Sequence, residues 1–225
     1  MTDTPTNSPR RLALCFDGTW NSYESNTNVS RIFEAIADRH TRCDEQLKFY
    51  DEGVGTNWGT KVLGGAFGVG LSRNVLEGYC WLINTYRPGE LNADDGGTEP
   101  FSMGDELYLF GFSRGAYTAR SLAGLINRCG IPKRELLDGQ QATLVSDVVK
   151  KAWALYEKDF ATDTGLEARQ QIECVAFRKK HSHTVLIKFV GVWDTVGALG
   201  VPTFVTAGIP IGRFLYRFQI GRAHV

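Results

Sequence analysis

A chain of 225 residues is long enough for one large domain or two small ones, and at 43% apolar and 22% charged it has the balance of a soluble globular protein with a core of useful size. Its 25 basic and 25 acidic residues cancel, which argues against a global field that would draw in nucleic acid or an anionic membrane. Five scattered cysteines (Cys15, Cys43, Cys80, Cys129 and Cys174), odd in number and without C-x-x-C spacing, argue against a disulfide scaffold and predict reduced, mostly buried thiols.

Residues 1–10, within the polar run MTDTPTNSPRR, read as a disordered leader without the apolar core of a secretory signal. That predicts a protein cytoplasmic as synthesised, and leaves export by a signal-peptide-independent system open. No run reaches the roughly 18 apolar residues of a membrane span. RLALCF (11–16) predicts a short buried strand stopped by Asp17-Gly18. After DGTWNSYESNT, Asn28 is placed to cap a helix through Arg39, with Val29, Ile32, Phe33 and Ile36 on one face. LKFYD (47–51) predicts a second strand.

Seven glycines between Gly53 and Gly70 predict a long loop, either a lid or a place where backbone closely approaches another group. A helix is expected over about 72–86, then a loop through RPGELNADDGGTEPFSMGD. Strand 106–110 and helix 114–129 come next, with further helices within 146–160 and 166–177. HTVLIKFVGVW (183–193) is the clearest strand, nearly all apolar or β-branched. The final IGRAHV (220–225) looks like a translated sequencing adapter, so the natural chain is expected to continue past Gln219. Alternating strands and helices with apolar strands predict an α/β fold, an α/β-hydrolase-like three-layer sandwich with a mostly parallel sheet, over a C-terminally incomplete domain at 11–219.

Chemistry concentrates at ELYLFGFSRGAYTAR (106–120), where a strand runs through Gly111-x-Ser113-x-Gly115 into a helix. That context is what a nucleophile elbow needs. Glycine on either side permits a tight, strained turn, the serine is thrust out at the C-terminal rim of the sheet, and the helix N-terminus faces a developing oxyanion. The plainer role is a helix N-cap, for which serine is also suited. Asp194, directly after the last strong strand, is the best-placed acid to orient an imidazole, the alternative being a turn aspartate satisfying loop amides.

The base is the missing member. His40, His181 and His183 precede Asp194, whereas the α/β-hydrolase order puts histidine after it, and His224 falls in the suspect tail. His181 and His183 flank the entry to a strand, the wrong edge of a parallel sheet for catalysis, and are weak evidence for metal. Arg114 N–H and an N–H from Gly18 or Thr19 are the candidate oxyanion donors. Asp17 either braces that loop or makes an ordinary Asp-Gly turn. Phosphate chemistry fits poorly: FDGT has Cys15 where a phosphatase motif needs its nucleophilic aspartate, and GGAFGVGLS lacks the Lys-Ser/Thr ending of a phosphate loop.

ALCFDGTWN, FYDEGVGT, LFGFSRGAYTAR and FVGVWDTVGALG, in this order, resemble a bacterial and fungal α/β-hydrolase family once named only as a domain of unknown function. It includes the catalytic domains of type VI secretion phospholipase effectors of the first lipase-effector group. The resemblance covers residues 11–218. It implies an ester hydrolase with a Ser-Asp-His triad, acting on phospholipids in its characterised members, with the nucleophile at Ser113, the acid at Asp194 and no counterpart here of the histidine. Hydrolysis through such a triad and an acyl-enzyme needs no metal or organic cofactor. A lipid or acyl-ester substrate follows, with a membrane surface, a secretion apparatus and an immunity protein as candidate partners; Trp58 and Phe67, near the glycine-rich loop, either touch lipid or simply pack. The competing expectation is a hydrolase-fold protein that binds a ligand or partner without catalysis.

Overall fold

The computed structural model describes residues 9–18, 26–37, 45–53, 66–91, 100–102, 104–158 and 164–193. In chain order these form β1 (Arg11–Phe16), α1 (Asn28–Ala35), β2 (Gln46–Asp51), α2 (Ala66–Thr85), β3 (Glu90–Leu91), β4 (Pro100–Ser102), β5 (Glu106–Phe112) and α3 (Arg114–Cys129). They continue with β6 (Ile131–Pro132), a 3-10 turn (Arg134–Leu137), α4 (Asp147–Lys158), α5 (Thr164–His181), β7 (Ser182–His183) and β8 (Ile187–Trp193).

Four strands form one sheet in the order β2-β1-β5-β8, every pair parallel. Leu12, Leu14 and Phe16 of β1 alternate with Ala13 and Cys15, so the two sets face opposite sides. The first set joins Leu107 and Leu109 of β5 in a core with Val75, Tyr79, Leu82 and Ile83 of α2 and Ala119, Leu122 and Leu125 of α3. On β2, Phe49 meets Phe16 and Trp81 of α2, whereas Tyr50 meets Phe33 of α1. Helices therefore cover both faces, the three-layer α/β layout of a hydrolase-like fold.

The chain steps from β1 outward to β2, then returns to the other side of β1 for β5 and β8. Between β1 and β5 the strand order therefore reverses direction, and α/β sheets bind ligands at the carboxyl ends of the strands beside such a switch point. At the opposite rim, Arg10 is buried against Asp105, with Nε–Oδ1 at 2.9 Å and Nη2–Oδ2 at 2.5 Å, and also donates to Thr85 O. Arg10 accordingly belongs to the domain and not to the expected leader.

Several boundaries depart from expectation. Thr27, not Asn28, caps α1: its Oγ1 accepts from Ser30 N at 3.1 Å, and the helix stops at Ala35. Residues 66–70, expected as the end of the glycine-rich loop, already belong to α2. The stretch 87–105, expected as loop, contains the β3-β4 pair. The expected strand 183–193 is two pieces, because β7 turns aside to pair antiparallel with β6. Among the described residues β8 is an edge strand, with Phe189 and Val190 exposed, where its apolar run predicted burial on both faces.

Candidate active site

Register brings four strand ends to one rim. Phe16 pairs with both Asp51 and Gly111, and Phe112 pairs with Trp193. Ser113 follows Phe112 and begins α3. Its backbone sits at φ 54°, ψ −116°, a conformation that L residues other than glycine rarely adopt. As the helix N-cap residue it makes no side-chain capping bond, so the plain capping role fails. The side chain is half-buried.

The flanking glycines are required by contact. A Cβ on Gly111 would lie 2.6 Å from Ala116 Cα and overlap Gly115 O. One on Gly115 would overlap Phe16 O and lie 2.6 Å from Asp17 O. Both positions have ordinary negative φ, so the demand is for space rather than for left-handed backbone. Small residues continue the fit: Ala116 and Ala119 are fully buried, letting α3 lie close on the sheet.

Asp17 organises the loop after β1. It is buried, and its carboxylate accepts from Gly18 N at 2.7 Å, Thr27 Oγ1 at 2.6 Å and Tyr50 Oη at 2.7 Å. It is thus both a brace and the start of an Asp-Gly turn. Burial, and then the bond to Asp17, hold the Tyr50 phenol protonated far above its usual range. Because Gly18 N–H already donates to Asp17, it is not free for an oxyanion in this geometry. The other loop candidate, Thr19, lies outside the described residues.

Asp51 and Gly53 support the same loop from β2. Asp51 O accepts from Asp17 N at 2.9 Å, and Asp51 Oδ1 accepts from Gly53 N at 3.0 Å. Gly53 has φ 73°, and its Cα packs beneath the Asp17 and Gly18 carbonyls, where a Cβ would come within 2.8 and 3.0 Å. Burial pushes the Asp51 carboxyl up to about 6; Glu77 and Glu52 reinforce the shift, and the Gly53 N–H opposes it. Sequence inspection missed Asp51. Its position after an apolar strand, in the same pattern as Asp17, was the available signal.

Ser113 N–H donates to Trp193 O at 2.9 Å, so the turn is bonded to the residue that precedes Asp194. Asp194 itself, His40, His224, Trp58 and the Phe67 side chain lie outside the described residues. Arg114 is half-buried, and its backbone N–H begins α3 beside Ser113. His181 ends α5 and His183 pairs with Ile131, just beyond the C-terminal end of α3. A helix of 16 residues separates them from Ser113, about 24 Å of rise. Burial, followed by Lys180, Lys151 and Lys133, lowers the His181 pKa; burial and then Lys133, opposed by Glu135, lower that of His183.

The family model for the catalytic domain of the type VI secretion phospholipase effectors, Tle1-like, matches residues 10–218. The chain belongs to this family. The matched span includes the whole four-stranded sheet. The chain is also 27% identical over 215 residues to the uncharacterized protein YEL023C of Saccharomyces cerevisiae, covering 86% of this chain and 28% of that protein. It therefore spans under a third of the length of this curated relative. No solved structure matches it. No described helix of this Tle1-like domain is long and apolar enough to cross a membrane.

Proposed function

We propose that this Tle1-like domain hydrolyses acyl esters of phospholipids with Ser113 as nucleophile. The observation that carries this reading is the Ser113 backbone, held at φ 54° at the end of an interior strand with its hydroxyl uncommitted to capping. Family membership supports a phospholipid as the ester.

Ser113 Oγ attacks the acyl carbonyl carbon while a histidine downstream of Asp194 takes the hydroxyl proton, and Asp194 holds that imidazole in the required tautomer. The carbonyl oxygen becomes an oxyanion facing the N-terminus of α3, where Arg114 N–H donates. Thr19 N–H is the second donor, since Gly18 N–H is engaged by Asp17. The tetrahedral intermediate collapses, the C–O bond to the lysophospholipid breaks, and histidine returns its proton to the leaving alcohol. Water then attacks the acyl-enzyme with the same histidine as base, releasing fatty acid and restoring Ser113. The residues assigned these steps need no metal or organic cofactor.

The test is a fluorophosphonate probe on the full-length protein, with peptide mapping and release of fatty acid from phospholipid vesicles. Labelling should fall on Ser113, and Ser113→Ala should abolish it and lower turnover by at least about 10³-fold. A folded protein that leaves Ser113 unlabelled, with vesicle lipid intact, would overturn the reading in favour of a hydrolase-fold binding protein.

A further inference from the structure

The far end of α3 from Ser113 holds a second constellation of reactive groups. Cys129 closes α3 and Cys174 lies within α5; they are 0% and 3% exposed. Cys129 Sγ lies 3.5 Å from Ala152 O, and Cys174 Sγ lies 3.9 Å from Leu155 O. Those carbonyls are three residues apart on α4, a rise of about 4.5 Å, so both sulfurs rest against one ridge of that helix. Arg178, four residues after Cys174, donates from Nη1 to Asn127 O at 2.6 Å and ties α5 to the last turn of α3 at this level.

Each thiol donates to its own α4 carbonyl, and each sulfur acts on the other's ionisation. The neighbouring Cys174, and then burial, hold Cys129 as the thiol. Cys129, aided by Arg128 and Arg178, draws Cys174 down against its burial. Cys15 and Cys80 lack such a partner; burial pushes them up to about 12 and about 11, and they stay unreactive.

We propose that Cys129 and Cys174 are a redox pair that a hydroperoxide converts to a disulfide. The Cys174 thiolate attacks one peroxide oxygen and the O–O bond breaks. The departing hydroxide takes a proton to become water, leaving Cys174 as a sulfenic acid. Cys129 sulfur then attacks the Cys174 sulfur, the S–O bond breaks, and the Cys129 proton leaves with the hydroxyl as a second water. Two thiols lose two electrons and hydrogen peroxide gains them. A small oxidant suits a site this buried, and α3, whose first turn follows Ser113, becomes covalently fixed to α5 at its other end.

The experiment treats the purified full-length protein with hydrogen peroxide and maps a non-reduced digest by mass spectrometry. The expected product is a peptide pair joined through Cys129 and Cys174, with two fewer titratable thiols per chain, both restored by dithiothreitol. In Cys129→Ser, Cys174 should stop at the sulfenic acid and be trapped by dimedone; in Cys174→Ser, Cys129 should remain reduced. The wild-type map decides the matter even if either variant folds poorly. Folded wild-type protein that keeps both thiols alkylatable after peroxide, or that forms a different pairing, overturns the proposal.

Discussion

The backbone N–H of Ser113 donates to the carbonyl of Trp193 across 2.9 Å, which extends the β5-β8 ladder one residue beyond Phe112. The bond fixes the start of the strained turn to the neighbouring strand just where Asp194 follows. Strain at a single residue persists only when the surroundings over-determine it. Here the ladder bond on one side and the close approach of Gly115 to β1 on the other do so.

Relieving that strain should stabilise the fold while removing its chemistry. Ser113→Gly suits φ 54°, and strain of roughly 1–3 kcal/mol is released against about 0.5–1 kcal/mol of added unfolded-state entropy. The expected outcome is a gain near ~1 kcal/mol in urea unfolding together with loss of ester hydrolysis. Ser113→Ala, still an L residue at positive φ, should lose activity without that gain. Equal stability of the two variants would show that the turn is not strained.

Gly115→Ala should be among the most damaging single-methyl additions to this domain. The new Cβ meets the Phe16 and Asp17 carbonyls, which belong to backbone and cannot rotate away. Overpacking of this kind costs about 1–3 kcal/mol, and displacement of α3 from β1 should also weaken hydrolysis. Gly139→Ala is the control for backbone strain without crowding: the backbone there has a φ of 80°, and an added methyl would meet nothing within 4 Å. The urea midpoints of the two variants separate the causes.

The strands of the main sheet were legible because each is a short apolar run ended by Asp, Gly or a polar loop, as at Phe16-Asp17 and Tyr50-Asp51. Helix α3 was legible to the residue: Gly115 and the alanines mark its entry, and Gly130 at φ 71° its end. That β8 is an edge strand among the described residues was not legible, since apolarity reports what a strand can bury and not which neighbour covers it. The cap of α1 shifted by one residue because Thr27 and Asn28 are both capable caps, and the choice falls to Thr27, which also reaches Asp17. Within the site, local pattern located Ser113. The engagement of Gly18 N–H by the Asp17 carboxylate depends on a side-chain rotamer that no spacing encodes.

Asp17→Asn tests how far the loop after β1 depends on its carboxylate. Asparagine keeps one acceptor for Gly18 N–H but presents an NH₂ group where Thr27 and Tyr50 hydroxyls now donate. Losing charge-assisted bonds in a buried setting should cost about 2–3 kcal/mol in chemical unfolding. Fatty-acid release should fall more steeply than stability at a temperature where the variant is folded, because the loop also carries Thr19. Unchanged activity in the folded variant would separate Asp17 from the oxyanion site.

Asp51 should give the domain a measurable pH dependence. Its folded pKa near 6 lies above the ordinary aspartate value of 3.8, chiefly through burial. Between about pH 4 and 6 the native chain therefore holds a proton that the unfolded chain has lost, and stability falls as pH rises through that window. The stabilisation is complete below about pH 4 and gone above about pH 6, a change on the order of 2–3 kcal/mol. Asp51→Asn cannot ionise, keeps an acceptor for Gly53 N–H, and should flatten this part of the curve. Urea unfolding of both proteins at half-unit steps from pH 4 to pH 7 measures it. Parallel curves would mean that Asp51 titrates alike in the folded and unfolded chains, and that its burial costs the native carboxylate nothing.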